Sequence, residues 1–313
     1  MSEPTGVASA ILSATMLAQT LRMSIPYACA ALGGVWSERS GIVNVALEGI
    51  LLAGGFAAVA VSHATGSALL GAIAGALTGA GFGAVHAVLS AYGRVNAIVS
   101  GIALNIIAAG GTRFLLRAFY SSSSNSPSVE GFASLGAEGS SGASLLVRTL
   151  VDPLTISAVF LVVLTALSLR RTSFGLRVRA AGEDPHAAAS AGIDVPRVRL
   201  LAVSIGGAIC GLGGVALAFD QHQFQSGMSG QRGYIALAAV ILSGWRPAWA
   251  VIACVVFAAL DALQIVLQGQ VEISPYALQA IPFVATLVAM FAMGLRRGVL
   301  GGEPPAGLGK HAS

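Results

Sequence analysis

Charge is what this sequence lacks. Only 10% of its 313 residues are charged, against roughly 25% in soluble domains, too few to cover a water-facing surface. Lysine is nearly absent: sixteen of the seventeen basic residues are arginine, and Lys310 stands alone, followed by His311. A P-loop needs lysine directly before Ser or Thr, so that the ammonium reaches the phosphates; the chain carries no such ATP site. Its three cysteines, Cys29, Cys210 and Cys254, lie in apolar segments without metal-ligand spacing. They read as small packing residues, which excludes a disulfide framework. No nucleophile elbow, HExxH or pair of carboxylates in a polar setting occurs, so no catalytic constellation, metal site or cofactor is expected. The opening MSEPTGVASAIL lacks the basic stretch of a cleaved signal peptide, and the first apolar segment is expected to remain in the protein.

What is abundant is apolar sequence, 55% of residues with a mean hydropathy of +0.81. Runs of about 20 apolar residues, enough to span a bilayer, recur along most of the chain. They are continuous rather than alternating, so helices satisfy the backbone in lipid where barrel strands do not fit. The expected fold is an all-α polytopic bundle of about eight or nine membrane helices, at 8–36, 46–62, 67–91, 97–118, 152–169, 199–219, 233–244, 249–268 and 277–295. Arg22 and Pro26 interrupt the first, so 8–21 lying along the interface is the alternative; 233–244 is short for a full crossing. The forty glycines suit close helix approach in membranes. Gly71, Gly75, Gly79 and Gly83 share one helix face, and Gly207 and Gly211 repeat the spacing, which assigns them to helix packing.

Arginine is distributed unevenly. Placing 170–199 in the cytoplasm puts twelve of the seventeen basic residues there, including Arg39, Arg94, Arg246 and the tail, as the positive-inside rule requires. Arg148 and Arg232 then fall in external loops. The net charge of +4 reports orientation and not nucleic-acid binding. The expected organisation is a membrane domain at 1–295, with an external loop at 119–151 and a cytoplasmic loop at 170–198, followed by a cytoplasmic tail at 296–313. Nine crossings would place the N-terminus outside, eight inside. Trp36, Trp245 and Trp249 fall near inner helix ends, where interface anchors belong. Within 170–198, Gly182-Glu183-Asp184-Pro185 forms a helix start: Asp184 suits the N-cap and Pro185 the first turn. A short helix over His186–Ala191 then ends at Gly192.

The run FGLRVRAAGEDPHAAASAGIDVPRVRLLA resembles the cytoplasmic coupling segment of ABC importer permeases of the branched-chain amino acid, ribose and nucleoside group. ALGGVWSERSGIVNVALEGILLAGGF, NAIVSGIALNIIA and GYIALAAVILSGWRPAWAVIACVVFAAL are similar to the shorter permease of bacterial nucleoside importers. The resemblance covers about residues 12–295. It implies a multi-pass subunit of the bacterial cytoplasmic (inner) membrane with a cytoplasmic C-terminus. Its implied partners are an ABC ATPase with two nucleotide-binding modules, a second permease forming a heterodimer, and an external substrate-binding lipoprotein. Gly182, Glu183, Asp184, Pro185, Ala187, Ala188, Ala191 and Gly192 would couple it to the ATPase, the small alanines allowing close seating. The implied cargo is a nucleoside, with a ribose-like sugar or riboflavin as alternatives.

Polar residues inside a membrane bundle are costly and mark function by default. Asn44 and Glu48 are such candidates, beside a pathway or at a wetted interface, in a stretch that Gly41 and Gly49 could break. Asn105 is a pore or interhelix hydrogen-bonding residue. Asp261, Gln264 and Gln268 share a helix face, to line a pathway or to join two helices. Asp220, Gln221, His222, Gln223 and Gln225 cluster at an outer helix end, and His63 and His86 are isolated. An ion-coupled secondary transporter is the rival of another class; it would use Glu48 and Asp261 as proton carriers and would not need the 170–198 loop.

Overall fold

The computed structural model describes residues 14–132, 147, 149–268, 274–295 and 303–309. They form α1 (Ala14–Arg39), α2 (Leu47–Thr65), α3 (Ala68–Ala87, continued by a π turn over Val88–Tyr92), α4 (Ala97–Tyr120), α5 (Pro153–Arg171), α6 (Ser173–Glu183), α7 (Pro185–Ser190), α8 (Val195–Asp220), α9 (Arg232–Leu242), α10 (Pro247–Leu267), α11 (Pro275–Gln279) and α12 (Ile281–Leu295). Among the described residues there is no strand; Asn125 and Gln225 form an isolated antiparallel bridge. Among the described residues six helices are long and apolar enough to cross a membrane: α2, α3 with its π turn, α4, α5, α8 and α10. The chain is an all-α, multi-pass bundle.

Local signals set the helix starts. Asn96, Asp152 and Asp194 each accept a backbone N–H of the helix that follows, and Pro153 and Pro247 open theirs at a position whose N–H has no partner to lose. α1 passes through Pro26 without breaking, so residues 14–21 continue the first helix instead of turning along an interface. The last apolar segment is split into α11 and α12.

α8 sits at the centre, packed against α1, α2 and α3. Two-thirds of its most apolar stretch is buried, against 28% for α4, although both are long and apolar. Glycine brings α3 close against α8. Gly79 faces Gly207 so closely that a Cβ on either would collide with the other's carbonyl oxygen. Gly71 lies on Ala58 and Phe219, Gly75 on Val215 and Gly54, and Gly83 on Val203 and Gly207. Backbone thus meets backbone along one stripe, as small residues permit in lipid, while the outer faces of α3, α4 and α5 keep exposed Leu, Ile, Val and Phe.

Two departures from a plain bundle shape the interior. Residues 40–46 are not helical and carry the chain from Arg39 back inward to α2. α9 has 11 residues, about 16 Å at 1.5 Å per residue, roughly half of a hydrocarbon core. The 221–231 segment brings the chain inward to meet it.

Candidate functional site

The starts of α2 and α9 meet inside the bundle, and Glu48 joins them. Its Oε1 accepts from Ser229 Oγ at 2.6 Å and Gln231 N–H at 2.9 Å, and its Oε2 accepts from Gly233 N–H at 2.8 Å. One carboxylate therefore satisfies the donors that open α9, where the helix dipole is positive, while standing in the first turn of α2. Asn105 of α4 fixes the other side. Its Oδ1 accepts Gly49 N–H at 2.8 Å, and its Nδ2 donates to Val45 O and Tyr234 Oη, each at 2.9 Å. The first residue of α9, Arg232, places Nη2 3.7 Å from Asp261 Oδ2, with side-chain exposures of 18% and 10%. Tyr27 Oη donates to the same carboxylate oxygen at 2.6 Å, and its ring lies under the guanidinium at 5.7 Å.

Three of the expected polar candidates, Glu48, Asn105 and Asp261, thus converge on the start of α9. Asn44 does not join them. It is fully buried, and its Nδ2 donates to Ser37 Oγ while its Oδ1 accepts Ala46 N–H; both groups hold the 40–46 bend. Gln264, one turn beyond Asp261, has a buried Oε1 without a hydrogen-bond partner among the described residues. Gln268 is exposed at the end of α10.

Arg232 corrects the sequence expectation most clearly: it lies in the interior and not in an external loop. The apolar span expected at 233–244 begins just after it, which is why sequence alone leaves it in a loop. Tyr27 and Tyr234 carried no signal, being single tyrosines in apolar runs. Two of the three tryptophans are also internal. Trp36 Nε1 donates to Thr165 Oγ1, and Trp245 Nε1 to Glu38 Oε2, while Trp249 is exposed. His86 is buried, with Nδ1 2.6 Å from Ser100 Oγ and Nε2 3.0 Å from Val43 O, tying α3 and α4 to the inward segment.

A cavity of about 340 Å³ opens directly against this network, with Arg232 belonging to both. Gln19, Arg22, Pro26, Asp220 and Gln221 also line it. Arg22 Nε and Asp220 Oδ1 pair at 3.4 Å, so the expected polar cluster at the end of α8 borders the cavity. Nearby, residues 126–129 run against 222–226: Ser126 N–H donates to Phe224 O, and Val129 N–H to His222 O.

The opposite end carries the arginines. α6 was not expected from sequence, since Gly175 and Gly182 weaken its helical signal. Thr172 Oγ1 caps it by accepting Gly175 N–H, and Val178 and Ala181 bury its inner face. At its end Asp184 Oδ1 accepts the N–H groups of His186 and Ala187, each at 3.0 Å, opening α7. Gly192 follows with φ +81°. This elbow is braced: a Cβ on Gly182 would strike Arg39 O, and Glu183 pairs with Arg39 at 3.7 Å. The tail segment 303–309 seals it, with Gly307 N–H donating to Gly182 O and Gly309 N–H to Gly41 O, each at 2.9 Å. α7 has two faces. Pro185 and Ala188 are buried, whereas His186, Ala187, Ala189, Ser190, Ala191 and Gly192 are exposed. Ala188 therefore packs into the protein's own core and is not available for seating a partner.

Interrupted helices, an interior ion pair and a small helix held out on an arginine-rich end suit a membrane transport subunit. Residues 16–293 match the family described as branched-chain amino acid transport system / permease component. The chain belongs to this permease family. The permease is 33% identical over 289 residues to the guanosine ABC transporter permease protein NupQ of Bacillus subtilis, covering 87% of this chain and 89% of that one. It is 33% identical over 300 residues to the nucleoside ABC transporter permease protein NupC of Lactococcus lactis, covering 88% and 90%. It is 34% identical over 269 residues to the putative glucose ABC transporter permease protein TsgC13 of Haloferax volcanii, covering 82% and 78%.

Proposed function

We propose that the chain is the membrane-spanning subunit of an ATP-driven importer of nucleosides. The observation that carries the mechanism is the braced elbow at Gly182–Gly192. A partner ATPase with two nucleotide-binding modules grips the exposed face of α7, and Asp184 and Gly182 keep that helix rigid on the end of α1. Closure of the ATPase on ATP then moves α7, and through it α8, the helix on which the bundle is packed. The arginine-rich end is cytoplasmic, as is the tail that seals the elbow. A second, different permease completes the pathway, and an external binding lipoprotein delivers the solute. The membrane is the bacterial cytoplasmic one.

The cargo assignment rests on NupQ and NupC, which are named for guanosine and nucleosides. The cavity beside Arg232 is of a size for a small solute, and transporters place binding at interrupted helices near the midplane. Gln19, Gln221 and Arg232, which line it, are the groups able to turn to a ribose hydroxyl or a base edge. A sugar cargo is the second reading, favoured by the similarity to TsgC13.

Reconstituted vesicles holding this chain with its co-purified partners, labelled uridine or adenosine, and ATP on the ATPase side provide the test. ATP-dependent uptake competed by nucleosides but not ribose is the expected result. Competition by sugars alone would transfer the cargo to the second reading. Gradient-driven uptake by the chain alone would overturn the importer.

A further inference from the structure

Beneath the arginine-rich end lies a second cavity, of about 200 Å³, that the transport reading does not use. Gly41, Ile42 and Val43 form one wall, Ser90 and Arg94 the next, Asn96, Ala97 and Ile98 another, and Arg199 and Gly309 close it. Its charge is of one sign. Arg199 and Arg94 line it, none of its described lining residues is acidic, and the N-terminus of the 24-residue α4 opens onto it, adding the positive end of a helix dipole. Two lining side chains each carry a buried polar atom with no hydrogen-bond partner among the described residues. Arg199 is 3% exposed and makes no ion pair among the described residues; its Nε donates to Ser40 O at 3.0 Å, and its Nη2 has no partner. Ser90 is also 3% exposed, with an unpartnered Oγ. A buried guanidinium without a counter-charge is costly, and one kept beside a cavity suits an anion.

We propose that this cavity binds a phosphate-bearing anion, with Arg199 and Ser90 as inner donors and Arg94 at the mouth. The position favours a phospholipid headgroup. Val95, Ile98, Val99 and Ile102 are 37–60% exposed next to the mouth and offer the apolar row along which acyl chains lie, and basic pockets between membrane helices hold anionic headgroups in this way. Free phosphate from the aqueous side shares the same chemistry. Because Gly309 hydrogen-bonds to Gly41, an anion here would also stiffen the seat of the tail.

The site is tested without ATP or transported solute, so its outcome is independent of the cargo. The purified complex is exchanged into nanodiscs of phosphatidylcholine with or without phosphatidylglycerol, and in parallel into detergent with inorganic phosphate. Lipid retained per chain is counted by native mass spectrometry, and phosphate by equilibrium dialysis. Phosphatidylglycerol retained by the wild-type protein, with affinity about tenfold lower in Arg94→Gln and Ser90→Ala, is expected, each variant losing one charge-assisted hydrogen bond or charge contact. Phosphate binding with the same variant losses would place the source in the aqueous phase. Equal retention by the wild type and both variants, or no anion binding in either medium, would overturn the site. Both variants leave Arg199 in place, so the buried guanidinium is undisturbed.

Discussion

The interior network and the arginine-rich elbow are built from the same parts, a carboxylate at the start of a short helix and an arginine beside it, yet they are left in opposite states. At the interior, Glu48 spends both oxygens on Ser229, Gln231 and Gly233, and Asp261 is shared by Tyr27 and Arg232. At the elbow, Asp184 opens α7 by the same chemistry, but the helix so formed presents His186, Ala187, Ala189 and Ser190 outward. The contrast follows from the solvent. In the bilayer an unmet polar group costs several kcal/mol, so the groups of this network find their partners in the chain. At the wet end water meets them, and small side chains can be left exposed for another protein to cover.

That contrast can be broken at its strongest point. Asp261→Leu leaves Arg232 unpaired in the interior and should cost about 3–5 kcal/mol, read as a lowered unfolding midpoint of the purified protein. Asp261→Leu with Arg232→Met should recover much of it; a single variant as stable as the wild type would mean that the pair is solvated. Glu48→Leu orphans the donors at the start of α9 and should cost about 3 kcal/mol, with Glu48→Gln losing roughly half as much. At the elbow, Gly307→Val meets Gly182 O and Pro185 and should release the tail, costing about 1 kcal/mol for each backbone hydrogen bond lost. Limited proteolysis near Glu303 checks this, and unchanged cleavage would show that the tail does not depend on that seat.

The smallest effect on stability is the sharpest on function. Ala187→Arg lies on the exposed face of α7 and should change the unfolding free energy by no more than about 0.5 kcal/mol while abolishing ATP-driven uptake. Ala188→Arg, one residue on, should instead destabilise the protein, because it forces a charge into the core. If both variants kept ATP-dependent uptake, α7 would not be the coupling element.

Composition and hydropathy alone determined that this is a helical membrane protein, because too few charges and repeated 20-residue apolar runs leave no other way to satisfy the backbone. The glycine spacing of α3 and the Asp184-Pro185 start of α7 were also legible, since both act within a few residues along one helix. The partners of Glu48, Asn105 and Asp261 were not: Tyr27 and Asp261 are 234 positions apart, and no periodicity links such residues. α6 was hidden by its glycines, and its helix is held by burial of Val178 and Ala181. Which face of α7 looks outward, which arginine sits inside, and which cavity Arg199 borders were decided by packing. A side chain's neighbours from distant segments fix whether it meets lipid, water or another polar group, and that is a property of the folded bundle.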